Sequence, residues 1–402
     1  MDLKYRYITN ELNSIKKENL YRNLKQVKFN KNQETFVNNK KVINLCSNDY
    51  LGLSLKKEII KKTRASLNQG SPCSSRLVSG NSHKIEELEF ELAKHRNTES
   101  SLVFPTGYMA NLGVISTLAT KDHVIFSDQY NHASIIDACK LSNASSIEIF
   151  KHNDPQDLEN LIKKKYKSKK TSGSKQKKFI IITEGIFSMD GNICNISEIS
   201  DISRKYDAIL IVDDAHSDFI FGHPNNFGGI IEHLGLLRNV DIHISSLSKA
   251  LGSFGGYVSC PNIVRDLLIN KSRTFIYTSA IPDHLCSSSL YAFEYLKKHS
   301  SLQKKLFKKF EKFSSNLRRL GFNIGNSESQ IIPIIIGDEK LTMSFSAELY
   351  EQGIYIQAIR YPTVEKGKAR LRVSLSNLIT DYNIEYVTLC LEKLGYKYKL
   401  IS

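Results

Sequence analysis

The chain lacks any apolar run long enough to cross a bilayer as a helix, which excludes a helical membrane protein. Its seven cysteines (Cys46, Cys73, Cys139, Cys194, Cys260, Cys286, Cys390) are odd in number and lie far apart. No Cys-x-x-Cys pair occurs, so neither a disulfide frame nor a thiolate zinc site is expected, and no metal is called. The opening residues Met1 to Arg6 have no apolar core and no small-residue cleavage site, so no signal peptide is read there. A reducing cytoplasm is the expected location. There is no internal repeat, and the basic residues gather on no recognisable nucleic-acid module. Acidic residues are in deficit, 41 against 56 Lys and Arg, for a net charge of +15. That excess could serve nucleic acid, an acidic protein partner or a polyphosphate ligand, but fits a solvated lysine-rich surface better. Its densest run, Lys163 to Lys170 and on through Gly173 to Lys178, reads as an exposed loop.

What is present is an ordinary globular composition, 41% hydrophobic and 24% charged, in 402 residues, enough for two domains. Residues 1 to about 30 read as a basic amphipathic helix or arm. Ile59 to Leu67 reads as a helix, Gly70 to Gly80 as a small flexible segment, and Ser82 caps a further helix. From Ser101 short apolar strands alternate with helices: Ser101–Phe104, His123–Ser127, Ser146–Phe150, Phe179–Glu184, Ala208–Asp213, Asp241–Ser246 and Gly256–Cys260. This pattern predicts parallel pairing with helices on both faces. Beyond Pro282, helical residues at roughly 286–320 lead to a smaller lobe. It holds the runs Ile331–Ile336, Ile354–Ile359 and Arg370–Ser374 and helices near Ser344–Gln352 and Tyr382–Leu394. The expected division is an arm over 1–45, a large α/β domain over 46–285 and a small α+β domain over 286–402.

Ligands of such sheets sit at the carboxyl ends of strands, and the chemically marked residues cluster there. Asp241 to Cys260 ends a strand in serines, presents Lys249, and follows it with Gly252, Gly255 and Gly256. A sheltered amine among small residues can attack a carbonyl. Asp213 ends another strand, with His216 three residues on. Gly107 and Tyr108 open a helix whose free N–H groups make a phosphate seat. His132 follows a third strand and Ser188 a fourth. Each has a plainer reading alone: a surface lysine, an Asp-Asp turn, a common glycine, a structural histidine, a simple turn. Together they describe one ligand, a planar, cationic, phosphorylated aldehyde. Lys249 would take the aldehyde, Asp213 the ring nitrogen and His132 the ring face, while Gly107, Tyr108 and Ser246 serve the phosphate. That ligand is pyridoxal 5′-phosphate.

Ordered motifs extend over nearly the whole chain: Ser47 to Leu53, Arg76 to Asn81, Asn131 to Ser134, Glu184 to Gly191, Asp213 to His216, Ser248 to Gly252 and Ala369 to Arg372. On these the chain resembles the α-oxoamine synthase family of pyridoxal-phosphate enzymes, of aminotransferase fold type I. The resemblance implies a large, mostly parallel-sheet domain and a smaller α+β domain. It implies condensation of an amino acid with an acyl thioester, on coenzyme A or a carrier protein, with loss of carbon dioxide. It also implies a homodimer with a shared active site, in which Thr278 or Ser279 reaches the partner's phosphate. Ile356 to Val364, with Gly367, is most similar to the branch that joins L-alanine to a pimeloyl thioester in biotin synthesis. By that resemblance Arg372, aided by Asn48, grips the amino-acid carboxylate, Thr363 lies by the substrate, and Arg22 meets the end of the acyl chain. Two departures are visible. Ser217 and Asp218 stand where a glycine usually follows the Asp-Asp-Ala-His run, and Gly70 to Ser75 holds one glycine in a usually glycine-rich stretch. The alternatives are condensation of glycine with acetyl-coenzyme A to 2-amino-3-oxobutyrate, and a non-catalytic basic protein binding nucleic acid or a carrier. The lysine run at 163–178 would attract an acidic acyl carrier.

Overall fold

The computed structural model describes residues 3–30, 34–167 and 177–402. In chain order its strands are β1 (Val27–Phe29), β2 (Thr35–Val37), β3 (Lys40–Asn44), β4 (Ser100–Phe104), β5 (His123–Asp128), β6 (Ser146–Phe150) and β7 (Lys178–Glu184). There follow β8 (Ala208–Asp213), β9 (Ile242–Ser246), β10 (Gly256–Cys260), β11 (Ile331–Gly337), β12 (Ile354–Tyr355), β13 (Gln357–Ile359) and β14 (Ala369–Ser374). The chain forms two compact units. One comprises residues 49–188 and 192–304, the other residues 1–48, 189–191 and 305–402. Residues 286–304, grouped by sequence with the C-terminal domain, fall in the first of these.

The larger unit is built on a seven-stranded sheet of order β4-β10-β9-β8-β7-β5-β6. Strands β5 to β9 pair in parallel. Strands β5, β7, β8 and β9 are buried on both faces, as strands covered by helices on either side must be, whereas the edge strand β6 leaves Ile147 and Ile149 exposed. Ile180, Ile182, Ile211 and Ile244 pack with Val114 and Ile115 of the helix Gly107–Leu118, all at 0% exposure. Each such side chain contributes roughly 1.5–3 kcal/mol by leaving water.

Parallel pairing does not extend to β10, which runs antiparallel to both β4 and β9. The reason lies in its connection. Residues 247–255 join β9 to β10 with no helix, and so short a link cannot return the chain for a parallel strand. Leu247 N–H donates to Gly255 O at 3.0 Å and closes this loop, which carries Lys249.

The smaller unit holds two sheets, β1-β2-β3-β12 and β11-β14-β13. Its first sheet joins the two ends of the chain through the parallel pair Ile43 and Ile354. Within residues 3–30 a helix, Arg6–Lys17, precedes β1. The expected helical stretch at 286–320 is two helices, Asp283–Lys298 and Ser301–Arg319.

The lysine run is only partly a loop. The helix Pro155–Lys167 includes its first five residues. Leu158 and Ile162, one turn apart, are buried and anchor it, and Lys163 pairs with Glu159 at 2.8 Å. Residues 168–176 of the run lie outside the described residues. All seven cysteines are free thiols.

Candidate active site

The site in the larger unit begins at the carboxyl ends of β7, β8 and β9. Glu184 and Asp213 are register partners on β7 and β8. Asp213 Oδ2 accepts from Asn111 Nδ2 at 2.7 Å, and its Oδ1 from the Ala215 N–H at 3.0 Å. Asn111 also donates to Ser134 Oγ at 2.9 Å, and Ser134 Oγ lies 2.8 Å from His132 Nδ1. A continuous line of contacts thus runs from Asp213 to His132. Burial, and then the negative charge of Asp213, push the Glu184 carboxyl well above its ordinary range. Close packing lowers the pKa of His132, the charge of Asp213 opposing this shift and Lys249 adding to it.

On the other side of the cluster Lys249 Nζ lies 3.0 Å from His216 Nε2. His216 Nδ1 meets the hydroxyl of Tyr50 at 2.7 Å. Tyr50 is completely buried, so it fixes one edge of the imidazole while the other faces the amine. Asp214, next to Asp213, is held by Arg96 at 2.9 Å, and Asp218 is held by His95 at 2.7 Å and Arg96 at 3.0 Å. Burial works against the Asp218 carboxylate, but Arg96 and His95 outweigh it and bring its pKa to about 2. These pairs lock the turn that carries His216.

The helix Gly107–Leu118 is capped by Thr106, whose hydroxyl accepts from Met109 N–H at 3.1 Å. Its first N–H groups, at Gly107 and Tyr108, have no acceptor within the helix and form an anion seat. Gly107 lies against Ser246, with 3.6 Å from an added Cβ to Ser246 Cβ, so that hydroxyl belongs to the same corner. Ser246 Oγ is 2.8 Å from Ser248 Oγ. The Tyr108 hydroxyl bonds to Asp137, and its ring meets His132 edge to face at 6.5 Å.

Ser188 is buried after β7. Thr278 and Ser279 follow the short helix Arg273–Ile276, half-buried and exposed respectively. Asp128, at the end of β5, is occupied by His152 Nδ1 at 2.9 Å and by two backbone N–H groups.

In the smaller unit Arg372 on β14 donates to Asn48 Oδ1 at 3.2 Å and to Ser374 Oγ at 2.7 Å. Thr363 lies on an exposed turn after β13, its N–H bonded to Arg360 O at 3.0 Å, and Arg22 is exposed. The residues that the sequence reading missed are Tyr50, Asn111 and Ser134. Asn111 sits four residues past Gly107 on the same helix, a spacing that places it on one face with the anion seat.

A carboxylate, an amine beside an imidazole, an imidazole face and a helix start with a hydroxyl therefore share one set of strand ends. The sequence pattern of the family described as aminotransferase class I and II matches residues 40–388. The chain belongs to the class I and II aminotransferase family. Among curated members, the 8-amino-7-oxononanoate synthase of Thermoanaerobacter pseudethanolicus is 38% identical, over 98% of both chains. That of Fervidobacterium nodosum is 34% identical, over 99% of both. Among solved structures, a serine palmitoyltransferase from S. paucimobilis superposes with a TM-score of 0.90 at 26% identity, over 100% of both chains. The 8-amino-7-oxononanoate synthase of Francisella tularensis gives 0.73 at 28% identity, over 89% of this chain and 99% of its own. Within this family the fold is the aminotransferase type I α/β fold, with the antiparallel β10 inside an otherwise mainly parallel sheet.

Proposed function

We propose that the chain is a pyridoxal-phosphate-dependent acyltransferase that condenses L-alanine with a pimeloyl thioester to give 8-amino-7-oxononanoate, carbon dioxide and free thiol, in biotin synthesis. The observation that carries this reading is the Lys249–His216 pair at 3.0 Å, at strand ends shared with Asp213 and the helix start at Gly107. The full-length likeness to 8-amino-7-oxononanoate synthases supports the choice of substrates.

The residues fit the coenzyme. The N–H groups of Gly107 and Tyr108 and the Ser246 hydroxyl match a phosphate, and Asp213 matches a protonated ring nitrogen. His132 matches a ring face, and Ser188 and His216 its phenolic edge. When bound, the coenzyme supplies an electron sink for the α-carbanion of the amino acid. Lys249 would hold the coenzyme by its aldehyde, and its amine, once displaced by the amine of the amino acid, would serve as the base for the α-proton. His216, oriented by Tyr50, is the partner that fixes the position of Nζ. His132 Nε2 offers a hydrogen bond to the oxyanion that develops on the thioester carbonyl. Arg372, steadied by Asn48, takes the amino-acid carboxylate, with Thr363 serving the substrate and Arg22 the far end of the acyl chain. Thr278 and Ser279 serve the phosphate of the partner subunit in a cytoplasmic homodimer.

The test is direct. Purified protein is mixed with pyridoxal phosphate, reduced with borohydride and digested. The coenzyme should be found on the Lys249 peptide, and Lys249→Ala should lose turnover altogether. Product is then measured for L-alanine with pimeloyl-coenzyme A, glycine with acetyl-coenzyme A, and L-serine with palmitoyl-coenzyme A. Turnover confined to either of the last two pairs would move the activity to a sister reaction. No coenzyme on Lys249 in folded protein would end the proposal.

A further inference from the structure

Asn111 and Ser134 lie outside every role assigned above, yet both are almost wholly buried at the centre of the site, at 2% and 0% exposure. Their hydrogen-bond directions are fixed by what they face. Asp213 Oδ2 only accepts, so Asn111 must turn its NH2 group toward it at 2.7 Å. The second hydrogen of that group points to Ser134 Oγ at 2.9 Å. The Ser134 hydroxyl lies 2.8 Å from His132 Nδ1 and can give it its own hydrogen while its oxygen accepts from Asn111. The Ser134 backbone N–H donates to the same nitrogen at 3.2 Å. The backbone N–H makes His132 Nδ1 an acceptor, and the hydroxyl is placed to be its second donor; a hydrogen on Nδ1 would break the first bond and reverse the second. The neutral ring must hold its proton on Nε2.

We propose that Asn111 and Ser134 are positioning residues that lock His132 as the Nε2–H tautomer, so that its free edge presents a hydrogen-bond donor to the substrate. The amide of Asn111 gives one hydrogen to each neighbour and passes none along. The line is an orienting bridge from Asp213, not a proton wire. This inference rests on the reading of the site as the coenzyme and acyl-transfer centre, and it deepens that reading by assigning what sets the donor. The charged groups around His132 are Asp213 on β8, Asp137 on the helix Ala133–Leu141, and Lys249 on the β9–β10 loop. Glu184 on β7 accepts from the His132 backbone N–H. None of them contacts Nδ1 in place of Ser134.

The experiment is long-range proton–nitrogen NMR of the full-length apo chain labelled with 15N-histidine, with His132→Gln used to assign the signal. The wild type should show the Nε2–H pattern. Ser134→Ala removes one of the two donors, so the His132 pKa should rise towards the ordinary histidine value and Nδ1–H should become populated. Ser134→Thr keeps the hydroxyl and should restore the wild-type pattern. Asn111→Ala, which frees the Ser134 hydroxyl to rotate, should shift His132 in the same direction by less. In the loaded enzyme Ser134→Ala should lower kcat on the order of tenfold, with KM for the amino acid little changed. A wild-type ring with hydrogen on Nδ1 would overturn the inference, even if no variant folds. So would an unchanged pKa and tautomer in Ser134→Ala. Coenzyme capture on Lys249 separates the two layers: without it the site reading fails, whereas with it and an Nδ1–H ring only this inference fails.

Discussion

Arg96 carries a full positive charge to a place with no solvent exposure, and everything around it answers that charge. Its guanidinium meets Asp214 at 2.9 Å, Asp218 at 3.0 Å, the carbonyl of Gly228 at 2.7 Å and the hydroxyl of Tyr257 at 3.1 Å. A buried ion is tolerated only when it is paired, and removing one partner strands the others. Arg96→Met should therefore cost about 3–5 kcal/mol, because two buried carboxylates lose their counter-ion together. Urea unfolding of the variant measures it, and a loss below about 1 kcal/mol would show that the carboxylates relax into water or protonate cheaply. Ser217, the departure from the usual glycine, belongs to this cluster. Its hydroxyl bonds to Asp214 and accepts from the Ile230 N–H at 2.7 Å, so the extra oxygen closes the turn after Asp213. Lys249, Asp213, His216 and Gly107 are legible in sequence because reactive or permissive residue types stand at strand ends. Arg96, Tyr50, Asn111 and Ser134 are not. They are common residues in helices or before them, and their roles come from partners such as His216, 166 positions from Tyr50.

Between elements, the phosphate corner depends on how closely β10 approaches the helix Gly107–Leu118. A Cβ added at Gly256 would sit 2.5 Å from Gly107 Cα and 2.6 Å from Thr106 C. Those are backbone atoms of the helix start and cannot swing aside as a side chain can. Gly256→Ala should push that start away from Ser246 and weaken pyridoxal phosphate binding by on the order of tenfold or more, through lost N–H contacts to the phosphate. Absorbance titration with the coenzyme checks it. Gly70→Ala is the control, since nothing lies within 4 Å of its added Cβ; equal affinities for the two variants would refute the argument. The central strands of the large sheet were readable because each is an apolar run buried on both faces. The sheet of β1 to β3 was not: its strands are short, carry lysines, and β1 is exposed along its length. Ile354–Ile359 looked like one strand, but it feeds two sheets, β12 pairing with β3 and β13 with β14. Alternation alone cannot mark the residue at which a chain changes partner.

At the scale of the whole chain, the pairing of β3 with β12 shows why the division into units could not be read from position along the sequence. It places residues 1–48 in one unit with residues 305–402. Charge is the one whole-chain property that composition does give. Its +15 excess raises the local concentration of anions around the protein. The proposed coenzyme bears a phosphate and the proposed thioester donor bears several negative charges, so their encounter with the chain should be accelerated. The association rate of pyridoxal phosphate, followed by stopped-flow absorbance, should fall by on the order of tenfold between about 10 mM and about 500 mM salt, as the Debye length shrinks from about 30 Å to a few ångströms. Pyridoxal without its phosphate should show a much flatter dependence over the same range. If both aldehydes slow equally, the salt acts on the protein's conformation. If neither slows, the surface lysines are so far neutralised by ion pairs such as Lys165–Glu148 at 2.5 Å and Lys205–Glu159 at 2.6 Å that the net charge steers nothing.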